Sequence, residues 1–225
     1  MKGNEIPFTR FKLRHMVKDP AIVMIAKRGS GKSWLVRTIL RFLCEKRNVP
    51  GGMIICKTEK MNPFYGKFFP DLFIHYEYST EILNNLLNRQ QQILKKRVLK
   101  KAQGKKINAR ALLVMDDCLA DKKSWVKDKP IGEIFYNGRH YKLTYILTMQ
   151  YPLGIGPELR NNFDYIFLLS NNFVSIQKKI YDHYAGMFDD FSAFRQVFNQ
   201  LTENFGAMVI VNNSKSKTVC DQVFH

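Results

Sequence analysis

Residues 21–36, AIVMIAKRGSGKSWLV, decide the reading of this chain. Six apolar residues lead into a loop rich in glycine and basic side chains, and apolar residues then resume. A short unbroken apolar run fits a strand buried on both faces. From 32 to 47, Leu35, Val36, Ile39, Leu40, Phe42 and Leu43 share one face, while Arg37, Arg41, Lys46 and Arg47 point away from it. That is the pattern of an amphipathic helix. Strand, glycine loop and helix start in succession suit an anion site, because ligands of α/β sheets lie beyond the carboxyl ends of strands, where helix N-termini offer free N–H groups. In AKRGSGKS (26–33), Gly29 and Gly31 let the backbone curl so that successive amides face a phosphate chain. Lys32 can reach β and γ phosphates, and the Ser33 hydroxyl suits Mg²⁺. Lys27, Arg28, Gly29, Ser30, Gly31, Lys32, Ser33 and Trp34 are therefore the candidate nucleotide-binding residues. Whether Trp34 holds the base stays open. Ala26 stands where the GxxxxGK[ST] pattern begins with Gly, a position that needs a small side chain more than special torsions.

Further buried-strand runs follow at 53–56 (MIIC), 111–115 (ALLVM), 145–149 (YILTM) and 165–169 (YIFLL). A long helix is expected over 79–102, with Ser79 or Thr80 as cap and Glu81 in its first turn. Another precedes Gly138, and one more lies near 173–186. GAMVIV (206–211) and TVCDQVF (218–224) read as edge strands joined by the turn at 212–214. The alternation predicts an α/β sandwich around a mainly parallel sheet. At 225 residues and 45% apolar content one domain spans 1–225, with an N-terminal extension over 1–19 and a basic helical segment over 79–110.

Two more strand ends carry polar groups. ALLVMDDC (111–118) delivers two adjacent carboxylates. Asp116 is placed to hold Mg²⁺, and Asp117 to orient and deprotonate water, help worth about 10²–10⁴-fold. TYILTMQYP (144–152) ends on Gln150, whose amide could contact a γ-phosphate or the attacking water if its strand lies between 21–26 and 111–115.

The formal charge of +17, with a pI near 9.8, points to a polyanionic partner. No acidic residue occurs between Glu81 and Asp116, whereas Lys95, Lys96, Arg97, Lys100, Lys101, Lys105 and Lys106 do. Such a single-sign stretch suits sequence-independent, salt-sensitive contact with a nucleic-acid backbone. Arg139 follows Gly138, and Arg160 lies in PELRNNFDY before the strand at 165. Either could complete a neighbouring subunit's site by stabilising charge on a phosphoryl group. Cys44, Cys56, Cys118 and Cys220 show no zinc spacing, and the five histidines are scattered, so no metal cluster is expected. The first ten residues lack the apolar core of a signal peptide, and no run approaches a membrane span.

AKRGSGKS, LLVMDDC, FYNGRHYKLTYILTMQYP and PELRNNFDYIFLL together resemble the genome-packaging ATPases of large nucleocytoplasmic DNA viruses, within the FtsK–HerA lineage of DNA pumps. The likeness spans roughly residues 20–225. It implies a three-layer αβα P-loop NTPase core of RecA-like, additional-strand type. It also implies hydrolysis of Mg²⁺-bound ATP in a homo-oligomeric ring of five or six chains, and translocation of double-stranded DNA into a preformed capsid through contacts with vertex components. The place of action would be the assembly site in the cytoplasm of an infected cell, with virion association, and no membrane insertion. By the same likeness Lys32, Ser33, Asp116, Asp117 and Gln150 take the roles above, and Arg139 is favoured as the trans-acting arginine. Ala26 and Asp117 depart from the wider lineage, which has Gly and often Glu there. Two other functions fit the motifs: a nucleotide-switched nucleic-acid-binding protein that does not pump, and a small-molecule phosphotransferase.

Overall fold

The computed structural model describes residues 8–118, 127–216 and 218–225, so the first seven residues of the expected N-terminal extension lie outside them. The elements run β1 (Ala21–Ile25), α1 (Lys32–Glu45), β2 (Gly52–Cys56), β3 (Ile74–His75), α2 (Thr80–Ala102), β4 (Ala111–Asp116), α3 (Lys129–Asn137) and β5 (Leu143–Met149). They continue through α4 (Pro157–Arg160), β6 (Tyr165–Leu169), α5 (Val174–Tyr184), α6 (Phe191–Leu201), β7 (Ala207–Val211), α7 (Val219–Gln222) and β8 (Val223–Phe224). Short 3-10 turns fill much of the excursion between β2 and β3.

All of these strands join one sheet in the order β3-β2-β4-β5-β1-β6-β7-β8. Neighbours from β3 to β6 are parallel, and β7 and β8 each run antiparallel to the strand before them. Every residue of β1, β4 and β5 is buried, because helices cover both faces. Side chains alternate between the two cores. Ala21, Val23 and Ile25 of β1 pack toward α2, α3, α5 and α6, while Ile22, Met24 and Ala26 pack toward α1. Each fully buried Ile of this kind contributes about 1.5–3 kcal/mol. This is the α/β architecture with a mainly parallel sheet that the apolar runs predict.

The register sets up the site. β5 lies between β4 and β1, with Ile25 opposite Met149 and Asp116 opposite Thr148. The carboxyl ends of β1, β4 and β5 therefore open side by side.

Some details differ from expectation, and others match it. The strand expected over 218–224 shrinks to Val223–Phe224, because Ser216 bonds the Asp221 carboxylate at 2.8 Å and Gln222 bonds the Ser216 carbonyl at 2.6 Å, closing a turn. Helix α6 was not expected, although Asp190 caps it by accepting from the Ala193 N–H at 2.8 Å. The long α2 begins at its expected cap, where Ser79 Oγ accepts from the Ile82 N–H at 3.2 Å. Only its first half is anchored, by Leu83, Leu86, Leu87 and Gln90. No residue over 91–102 is fully buried, about 18 Å of helix at 1.5 Å per residue. Gly104, at φ 73°, ends it: the N–H groups of Gly104 and Lys105 bond back to the carbonyls of Lys101 and Lys100.

Candidate active site

The loop between β1 and α1 is shaped by two left-handed glycines, Gly29 at φ 79° and Gly31 at φ 92°. Side-chain-bearing residues are strained there. Gly31 is the N-cap of α1 and supplies no side-chain acceptor, so the first turn presents its N–H groups to an incoming anion. Ser30 turns inward and is buried, its hydroxyl donating to the Lys27 carbonyl at 2.7 Å. Lys27 itself reaches across to the Asn172 amide oxygen at 3.1 Å. Arg28 is exposed, and Ser33 lines the cleft from the first turn of α1. Ala26 is buried and lies outside the left-handed region, and its N–H extends the β1–β5 ladder to the Met149 carbonyl at 3.0 Å. A methyl group suffices at that position.

The acidic pair divides its work by direction. Asp116, the last residue of β4, is 6% exposed. The Thr148 hydroxyl donates to its Oδ1, and the Tyr65 hydroxyl to its Oδ2 at 2.9 Å. Cys56 Sγ lies 3.7 Å from that same oxygen. Burial, reinforced by the negative charge of Asp116, pushes the Tyr65 hydroxyl well above its usual range and Cys56 up to about 11. Both therefore remain protonated donors at neutral pH. Asp117 sits at φ 52°, a left-handed turn that swings its carboxylate out of the strand direction. Its N–H donates to Thr148 Oγ1 at 3.1 Å, so one hydroxyl serves both aspartates.

Lys32 joins them. Its Nζ is 3.4 Å from Asp116 Oδ1 and pairs with Asp117 Oδ1, and its side chain is 9% exposed. Gln150 Nε2 donates to the other Asp117 oxygen at 3.0 Å. Lys32, Asp116, Asp117 and Gln150 thus meet at the carboxyl ends of β1, β4 and β5, beside a cleft of about 1370 Å³. One cation between two carboxylates leaves a formal charge of −1, which favours a second cation. Among the described residues no group of three or more His, Cys, Asp or Glu could form a protein cage for one. A hydroxyl at Ser33 and a carboxylate at Asp116 fit Mg²⁺, which takes one or two protein oxygens and fills its remaining positions with phosphate and water.

The two arginines lie at the opposite, amino edge of the sheet. Arg139 precedes β5 and pairs through Nη2 with Asp164, which precedes β6. Asp164 is 3% exposed and Arg139 is 55% exposed. Asp164 also accepts from the Ala21 N–H at 2.9 Å and the Asn213 amide at 3.1 Å. Arg160 lies with its guanidinium 5.5 Å over the Tyr184 ring. Neither arginine joins the phosphate loop of its own chain. Lys95, Lys96, Arg97 and Lys101 are exposed on α2, Lys100 bonds Gln103 at 3.2 Å, and Lys105 and Lys106 are exposed beyond Gly104.

Sequence reasoning missed Tyr65, Cys56 and Thr148, the groups that orient the acidic pair. Thr148 carried a signal, a hydroxyl near the carboxyl end of a largely apolar strand, two residues before Gln150. Tyr65 carried none, because its place follows from the path of the 57–73 excursion.

A family model for the Poxvirus A32 protein matches residues 5–178. Uncharacterized protein L437 of Acanthamoeba polyphaga mimivirus is 52% identical over 224 residues, covering 100% of this chain and 78% of that one. Uncharacterized protein 075L of Invertebrate iridescent virus 6 is 38% identical over 194 residues, covering 86% of this chain and 71% of its own. Among solved structures, the genome packaging NTPase B204 from Sulfolobus turreted icosahedral virus 2, in complex with AMP, matches with a TM-score of 0.65. That match covers 89% of this chain and 96% of B204 at 17% identity, a likeness of fold. The P-loop NTPase architecture and the resemblance read from the motifs are both borne out: the chain belongs to the Poxvirus A32 protein family.

Proposed function

We propose that this chain is a viral genome-packaging ATPase, a motor that hydrolyses Mg²⁺-bound ATP in a homo-oligomeric ring and drives double-stranded DNA into a preformed capsid. The observation that carries this reading is the convergence of Lys32, Asp117 and Gln150 on one cleft at the tips of three adjacent strands, with Asp116 buried directly beside Lys32. Family membership supplies the viral context, and the packaging role named for B204 supports the choice of motor over other P-loop enzymes.

In this reading the amides of the 27–33 loop bind the phosphate chain, and Lys32 exchanges its two carboxylates for β and γ phosphate oxygens. Ser33 and Asp116 would hold Mg²⁺, which when bound would supply charge to offset that developing on the phosphates. Release from Lys32 frees Asp117 to accept a proton from water. Gln150, already bonded to Asp117, keeps that carboxylate and the water in line. Tyr65 and Thr148 fix Asp116, so the metal-binding carboxylate needs no reorganisation when ligand arrives.

Arg139 is the better candidate for a neighbour's site, because it is half-exposed and carried on a buried carboxylate, whereas Arg160 is packed against Tyr184. The unanchored half of α2 and the lysines beyond it are the proposed DNA-contacting surface. Work at the assembly site of an infected cell and docking on a capsid vertex follow from the packaging role. Among the described residues no helix is long and apolar enough to cross a membrane.

Hydrolysis is expected to rise on adding long duplex DNA under conditions that permit ring assembly, and to be lost in Lys32→Ala. Full turnover by that variant would refute the site. ATP-dependent DNA binding without displacement of a roadblock would make the protein a switch instead of a motor.

A further inference from the structure

The cleft has two flanks, and the phosphate loop lies between them. On the β4–β5 flank stand Asp117 and Gln150, with Trp34 and Phe64 beyond. On the β6–β7 flank stand Phe205, Gly206 and Ala207. Ala207 opens β7 and pairs with Leu169 at the carboxyl end of β6, which brings Phe205 to the same edge of the sheet as the loop.

Phe205 is unusual in two independent ways. The residue is 79% exposed, yet its backbone and that of Asn204 are both left-handed, at φ 61° and 50°. Consecutive side-chain-bearing residues rarely adopt that conformation, and it persists only where the surroundings enforce it. Here Gly206 does so. Its N–H bonds the Glu203 carbonyl at 2.7 Å, and a Cβ on it would lie 2.4 Å from the Leu201 carbonyl. The turn holds the phenyl ring beside the loop, with Cδ1 3.5 Å from where a Cβ on Gly31 would stand. No core is served by this arrangement.

The polarity of a bound triphosphate then assigns the ring a role. The lysine of a phosphate loop reaches the β and γ phosphates. Lys32 is held on the Asp117 flank, so the terminal phosphate belongs there and the α-phosphate and sugar run toward the other flank, where Phe205 waits. Trp34 lies on the γ side, and its ring already meets Phe64 edge-on at 6.2 Å and Arg37 at 5.3 Å.

We propose that Phe205 is the stacking platform for the nucleobase of the bound nucleoside triphosphate, and that the Trp34 ring is not. This rests on the nucleotide-site reading above. Stacking uses the π-face common to all bases, so this contact favours ATP only weakly over GTP.

The test compares Mg²⁺-ATP with inorganic tripolyphosphate by calorimetric titration of the whole chain. Phe205→Ala is expected to weaken ATP binding about tenfold and leave tripolyphosphate unchanged, with Phe205→Tyr restoring ATP. Lys32→Ala is expected to weaken both ligands. If Phe205→Ala leaves the ratio of the two affinities as it was while Lys32→Ala loses both, the platform is refuted and the phosphate site stands. If Lys32→Ala binds both like the parent chain, the phosphate site falls, and the platform falls with it.

Discussion

The two edges of the central sheet each hold a buried carboxylate paired with a cation, and they are built in opposite senses. At the carboxyl edge the cation is sequestered: Lys32 is 9% exposed between Asp116 and Asp117. At the amino edge the cation is presented: Arg139 is 55% exposed, and only its partner Asp164 is buried. Lysine and arginine suit these two situations. A lysine is a compact charge that can leave one set of oxygens for another, whereas a guanidinium keeps its charge everywhere and offers several donors in a fixed plane. Asp164 engages Arg139 through Nη2, and the arginine side chain stays 55% exposed. In the proposed motor one edge would receive an anion, and the other would offer a cation to a different molecule.

The largest effect should come from removing the carboxylate that Lys32 shares with Gln150. Asp117→Asn keeps the side-chain volume but cannot take a proton from water, so single-turnover hydrolysis should fall about 10²–10⁴-fold. Equilibrium binding of ATP should not weaken, because Lys32 then has one competitor fewer. An Asn variant that hydrolyses normally would leave the carboxyl edge as a binding site alone, and the contrast between edges would lose its chemical content.

The outward arginine should come next. In assembled rings Arg139→Ala is expected to lower turnover about 10²–10³-fold, the range for loss of one charge-stabilising donor, while the isolated chain binds ATP as before. Mixing this variant with Asp117→Asn sharpens the point. Two inactive chains should regain activity together, since a mixed ring contains sites with an intact Asp117 from one chain and an intact Arg139 from its neighbour. No recovery on mixing would place the arginine outside the neighbour's site.

How legible these edges were in sequence follows from how local their determinants are. Strands β1, β4 and β5 announce themselves because burial on both faces demands unbroken apolar runs, and the phosphate loop because Gly29 and Gly31 stand where only glycine is unstrained. Asp116, Asp117 and Gln150 were found because each terminates such a run. Helix α6 was readable too, from Asp190 and the spacing of Phe191, Phe194, Phe198 and Leu201, yet its period was overlooked. What could not be read was non-local. Tyr65 meets Asp116, and Asp164 meets Arg139, only after chain segments far apart in sequence pack together. Phe205 stayed hidden for another reason: exposed aromatics carry no periodicity, and its left-handed backbone is enforced by a neighbouring glycine instead of by its own residue type.

The smallest effect tests whether the two edges are independent. Asp164→Asn can keep its one oxygen for the Ala21 N–H, but an NH2 then replaces the oxygen that accepts from the Asn213 amide and pairs with Arg139, and the charge that holds Arg139 is lost. Hydrogen bonds to a charged group are worth about 1.5–3 kcal/mol, so a loss of roughly that size is expected in denaturant unfolding, with an unchanged slope. The released guanidinium itself adds little, because it is already half in water. ATP affinity should hold, since strand β1 separates Asp164 from the phosphate loop by about 16 Å at 3.3 Å per residue. A drop in ATP affinity with this substitution would mean that β1 transmits the state of one edge to the other, and the arginine's pairing would then report on the neighbouring nucleotide as well as serve it.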